Sequence, residues 1–199
     1  MKNIIILLSL ILAISCKGQQ TYPLKTDYTE LPNYVYLKDT NNELQAFVGT
    51  YEANFEGKKI TLYITKHTKK LLDRISIFYK DVLIANYVVK DAQGNVLKDS
   101  RTIEFSSEQL QDLILSFWVE DAGKKLLMSY GGVNCNVGNG YVYLTKLNVN
   151  QLSWKYISSS TILTNDNCPP GTDLTIYLPE VKDLIFTKVS PTGGGFVRE

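Results

Sequence analysis

F-V-G-T-Y-E-A-N-F-E-G-K-K-I-T-L-Y-I-T-K, residues 47–66, is the stretch that decides the fold. Residues 48–55 and 60–66 are two β-rich runs, and Glu56, Gly57, Lys58 and Lys59 between them supply a glycine-containing turn, so the stretch reads as a hairpin. In the second run Ile60, Leu62 and Ile64 alternate with Thr61, Tyr63 and Thr65, which sends the aliphatic side chains to one face of a sheet. An isolated hairpin is only marginally stable in water, so this pair requires further strands behind it.

The chain offers them in series. Residues 74–80 and 82–90 are two apolar runs separated by Asp81, which marks a tight connection or a bulge in one long bent strand. A turn over 91–95 leads to a short strand over 102–105, and Ser106 with Gln109 stands at capping-box spacing, predicting one or two helical turns over 107–113. Residues 114–120 and 126–130 read as a hairpin across Gly123, and 140–147, 151–157, 174–178 and 184–189 follow as strands. Such a run of short strands with Gly- and Asx-rich turns predicts an all-β antiparallel meander barrel over 44–189, since closure removes the exposed edges. A two-sheet β-sandwich is the alternative.

The first sixteen residues, M-K-N-I-I-I-L-L-S-L-I-L-A-I-S-C, carry one basic residue and then an apolar run ending at small Ser15. That is the pattern of a secretion signal over 1–15, too short for a comfortable membrane span. Ala13-Ile14-Ser15-Cys16 resembles the bacterial lipoprotein cleavage box, which implies that Cys16 receives lipid. Each buried CH₂ of an acyl chain contributes roughly 0.8 kcal/mol, so a multiply acylated Cys16 would hold the domain on a membrane without a spanning helix. Residues 17–43 are polar and contain Pro23 and Pro32, and together with Cys16 they read as an extended tether, with 34–36 as a short strand where it meets the barrel. The glycine-rich end, 190–199, reads as a flexible tail. Lys and Arg total 21 against 20 Asp and Glu, so losing Lys2 with the signal leaves the remainder formally neutral, which argues against a nucleic-acid partner.

Several segments carry a resemblance to a known family. C-K-G-Q at residues 16–19, L-K-D-T-N-N-E-L-Q-A-F-V-G-T-Y at 37–51, G-K-K-I-T-L-Y-I-T-K at 57–66, L-S-W-K-Y at 152–156 and L-I-F-T-K at 184–188 resemble uncharacterised Bacteroidota lipoproteins, catalogued as a domain of unknown function. That likeness spans most of 16–188 and implies a structural kinship without an activity. Tyr51 stands where the family pattern leads one to expect Trp, and the tail runs longer than usual. Gly49-Thr50-Tyr51 also resembles the Gly-x-Trp start of lipocalin-type barrels, which hold one small apolar ligand.

Candidate functional residues follow from composition and compartment. Cys135 and Cys168 form an even pair in an exported chain and predict a disulfide joining the loops 131–140 and 165–171, with unpaired thiols as the rival reading. His67 is the single histidine and sits beside lysines in H-T-K-K, which reads as a solvated turn rather than a catalytic base. The Gly131–Gly140 loop lacks the Gly-Lys-Ser/Thr ending of a phosphate loop, and no metal-ligand spacing converges, so no cofactor and no metal are expected. Thirteen Tyr, seven Phe and two Trp are the compositional excess. Rings at Tyr51, Phe78, Tyr87, Trp118, Tyr143 and Trp154 either line an apolar pocket or fill a solid core. These features lead to the expectation of a non-enzymatic envelope lipoprotein that binds a small apolar ligand. An interaction lipoprotein with a filled core and an envelope-protein partner is the rival, and an envelope hydrolase the third reading. Acidic residues resembling a surface-export signal do not follow Cys16, which favours the periplasmic side of the outer membrane.

Overall fold

The structure is a computed structural model that describes residues 18–73, 75–106 and 110–189. The expected signal peptide over 1–15, Cys16, the expected tail over 190–199 and residues 107–109 of the expected helix lie outside the described residues. Among the described residues there are eleven strands: β1 Thr21–Pro23, β2 Tyr36–Lys38, β3 Gly49–Phe55, β4 Lys58–Asp73, β5 Ile77–Lys90 and β6 Val96–Asp99, then β7 Ile114–Glu120, β8 Lys125–Tyr130, β9 Gly140–Lys146, β10 Gln151–Ser158 and β11 Leu184–Val189.

Eight of them close an antiparallel up-and-down barrel. β3, β4 and β5 pair in succession, β5 meets β7, β7 to β11 continue the meander, and β11 returns to β3. The expected hairpin is present with a tighter turn than its residues suggested: Phe55 pairs Lys58, and Glu56 and Gly57 both take positive φ (49° and 73°). A two-residue turn of that kind matches the right-handed twist of its strands, and glycine at the second position lowers its strain. Alternation then fills the interior. Ile60, Leu62 and Ile64 of β4 stand opposite Val89, Tyr87 and Ala85 of β5, and all six are buried in one core. On β10, Leu152, Trp154 and Tyr156 do the same, while Ser153, Lys155 and Ile157 look outward. Tyr51, Tyr87, Tyr130, Trp154, Tyr156, Phe47 and Phe186 are each under 2 % exposed, so aromatic rings occupy much of the barrel's interior.

β4 and β5 outrun the barrel. Their ladder is interrupted between His67 and Lys70, where Lys69 takes φ 53°, and beyond this bulge the two strands continue as a ribbon, Lys70 opposite Lys80 and Asp73 opposite Ile77. The Asp81 carboxylate fixes the bend: it accepts the Lys69 N–H (3.0 Å), the Asp39 N–H (3.0 Å) and the Tyr36 hydroxyl (2.6 Å). Asp81 is thus part of one continuous bent strand, and the irregularity sits opposite it in β4. β2 adds in parallel to the ribbon side of β5, and β1 to β2.

Five sequence expectations are corrected. The tether is folded from Gly18 onward, because Leu24, Val35 and Leu37 are buried and β2 satisfies the open edge of β5. His67 lies within β4 at the bulge, half-buried, with Nε2 2.9 Å from the Thr65 hydroxyl. Residues 102–105 form no strand; the chain turns at buried Ser100, whose hydroxyl accepts the Tyr87 N–H, and β6 pairs β5 just before it. Residues 174–178 also form no strand. Leu178 drops into the core and the flanking groups bond Trp154 and Ser158 instead of a ladder. Of the expected helix, residues 110–113 form a turn with Asp112 at φ 57°.

Candidate functional site

The site arises where the barrel wall comes apart. β5 and β7 share two registered pairs, Ile84 with Leu115 and Ala85 with Ile114, and then diverge. The reason is a register shift in β7 between Ser116 and Trp118. Side chains take over from the ladder: the Leu83 N–H donates to the Ser116 hydroxyl at 2.8 Å, and the Lys80 ammonium donates to the Phe117 carbonyl at 2.9 Å. Beside this seam runs the ribbon of β4 and β5, and between ribbon and barrel wall lies a groove of about 440 Å³.

Three surfaces build the groove. Leu72, Phe78 and Ile75 come from the ribbon, Leu115, Phe117, Ser129 and Tyr141 from the outward faces of β7, β8 and β9, and Tyr28 stacks on Phe78 with centroids 4.5 Å apart. Phe78, Leu72 and Leu115 belong to a second apolar cluster with Val35, Leu37, Val82 and Ile84, outside the barrel and separate from its core. Ile75, Phe117 and Tyr141 stay exposed at the mouth (85 %, 46 % and 48 %). At the base lies Lys80, 6 % exposed, its ammonium 5.9 Å above the Phe117 ring centroid. Burial pushes its pKa down to about 8.

The rings singled out from sequence are dispersed. Tyr51, Tyr87 and Trp154 pack in the barrel core, where the Trp154 indole N–H reaches the Pro179 carbonyl at 2.9 Å. Trp118 is half-buried next to the β7 irregularity. Tyr143 points outward under the Lys155 ammonium, 5.1 Å away, because its neighbours Val142 and Leu144 take the inward positions. Phe78 alone of these lines the groove. Lys80, Leu115, Ser116 and Tyr141 went unnoticed in the sequence; a lysine in an apolar strand is the one signal that pointed there.

Other titratable clusters serve the frame. Asp112 accepts the Tyr87 hydroxyl (2.9 Å) and the Lys98 ammonium (2.6 Å), and the Tyr87 and Tyr130 hydroxyls lie 3.0 Å apart. Burial holds both phenols above their ordinary pKa. Asp39 accepts the Lys66 ammonium (2.7 Å) and the Leu44 N–H, while burial, with help from Asp81, pushes the Tyr36 phenol up to about 12. His67 is held below its usual pKa by burial and by the Lys70 charge. Cys135 and Cys168 are bonded, Cα atoms 5.5 Å apart, joining the two loops expected from sequence. Among the described residues no three His, Cys, Asp or Glu gather as a metal site, and no helix is long and apolar enough to cross a membrane.

Compared with known proteins, residues 1–189 match the model of a family of unknown function, DUF6705. No curated protein and no solved structure matches the chain.

Proposed function

We infer that this chain, which belongs to the DUF6705 family of unknown function, is a non-enzymatic binding module that holds a small apolar ligand in the groove outside its barrel. The groove itself carries the reading. Its volume of about 440 Å³ falls within the roughly 300–1,000 Å³ of ligand sites, and its lining is apolar with few polar groups, the usual composition of such sites. The barrel interior, where a lipocalin would hold its ligand, is taken up by packed rings, which supports a binding surface at the seam rather than inside the barrel. In this reading the Cys16 lipid anchors the module to the outer membrane on its periplasmic side.

The test uses the exposed rim, where Ile75 and Phe117 stand largely outside the packed clusters. Protein purified from cells is extracted for bound lipid-like molecules, and the melting temperature is followed as decanol is added, since a ligand that binds only the folded state raises it by mass action. Wild type should release ligand and gain stability with decanol, and Ile75→Glu with Phe117→Glu should abolish both while melting like wild type without ligand. Protein free of extractable ligand, with no response to decanol, would shift the reading to an interaction surface for an envelope protein.

A further inference from the structure

We propose that the groove is selective for a single-chain amphiphile bearing one carboxylate, a fatty-acid-like molecule whose head pairs with Lys80. The inference rests on the groove being a ligand site. Its own foundation is the electrostatic situation of Lys80. The side chain is 6 % exposed, yet among the described residues no carboxylate lies within ion-pair distance of its ammonium. By contrast, the partly buried Lys66 and Lys98 each meet a buried carboxylate, Asp39 and Asp112. An ammonium has three N–H donors, and here one is used, on the Phe117 carbonyl. An unpaired buried charge is expensive, so retention of a lysine rather than a methionine at the base of an apolar groove calls for an anion.

The neighbouring acid cannot supply it. Asp81 follows Lys80 directly, but its two oxygens are committed to Lys69, Asp39 and Tyr36 on the other side of β5. Alternation of the strand turns the two side chains apart. The Ser116 hydroxyl, which also lines the groove, accepts from Leu83 and keeps its own hydrogen for donation, and the Ser129 hydroxyl stands on the same wall. One positive charge and two hydroxyls match a monoanion. A phosphate dianion would bring a second charge with no cation to meet it in an apolar lining. The apolar walls from Phe78 and Leu115 out to Ile75 and Tyr141 then receive the alkyl chain.

Isothermal titration of the full-length protein with decanoate, decanol and methyl decanoate, all below their aggregation limits, tests the head-group preference. At pH 7 decanoate should bind about tenfold or more tightly than either neutral analogue, as expected for a charge-assisted hydrogen bond. At pH 9.5, above the value of about 8 to which burial lowers Lys80, that preference should shrink. In Lys80→Met the neutral analogues should bind at least as well as decanoate. Equal affinity for decanoate and decanol in wild type overturns the carboxylate assignment and leaves the groove reading intact. Failure of all three to bind overturns both. The wild-type comparison decides the question even if Lys80→Met does not fold.

Discussion

At the scale of single residues, Lys80 sets a measurable pH dependence. Its folded pKa of about 8 lies below the ordinary 10.5. Between those values the unfolded chain binds the proton and the folded chain does not, so stability rises with pH across this window. The tyrosines act in the opposite direction above pH 10: Tyr36, Tyr51, Tyr87, Tyr130 and Tyr156 all have raised pKa values, so the unfolded chain loses phenolic protons first and stability falls. The clean interval is therefore pH 8 to 9.5. Urea unfolding should show a gain of about 1–2 kcal/mol across it, which Lys80→Met should flatten while raising stability at pH 7. A flat wild-type profile over that interval would show that Lys80 is not desolvated in solution.

At the scale of elements, what could be read in the sequence was what obeys a local period. Ile60, Leu62 and Ile64, or Leu152, Trp154 and Tyr156, announce an inward face because side chains alternate along any strand, whatever the strand pairs with. Asp81 marked an irregularity, but its place at Lys69 in the partner strand gave no such sign, since the bulge is held by the Asp81 carboxylate, which also accepts the Asp39 N–H. Val96–Asp99 pairs β5 although it is short and half polar, and Leu174–Leu178 does not pair although it is β-rich, because Leu178 and Glu180 are drawn to β10 instead. The groove was illegible for the same reason. It depends on where β5 and β7 part, two elements joined by a long excursion, and on a register shift that no residue pattern reports. The Cys135–Cys168 bond is an exception, readable because an even cysteine pair in a chain expected to be exported predicts a bridge. It closes a loop of sequence separation 33, and in the chain-entropy account such a link stabilises by about 3–4 kcal/mol. The Cys135→Ser, Cys168→Ser double variant should unfold at correspondingly lower urea, with β10 and the loop under Tyr156 most affected by hydrogen exchange. An unchanged midpoint would mean that packing of Leu178 and Ile176 already holds these loops.

At the scale of the whole molecule, the entry of the chain fixes how an anchored barrel would stand. Gly18, two residues after Cys16 in the sequence, is where the described chain begins, and two residues of extended chain reach at most about 7 Å. Gln19 donates to the Tyr34 carbonyl (2.8 Å) and the Tyr34 N–H to Ile77 (2.6 Å), which places the first described residues against the ribbon end of β5. That end carries Ile75 and Tyr34, 85 % and 56 % exposed. A lipidated Cys16 would therefore hold the ribbon end, and with it the mouth of the groove, next to the bilayer, so that an amphiphile could pass from membrane to groove over a short path. Full-length protein expressed in a bacterium that lipidates exported chains should sediment with membranes and resist a high-salt wash, because acyl chains and not surface charges retain it. Cys16→Ser should move it to the soluble fraction, and the released protein should still bind decanol with the affinity of wild type, since the groove lies wholly within residues 28–141. Variant protein that stays with the washed membranes would remove the lipid anchor from this account and leave the exposed ribbon end as the membrane contact.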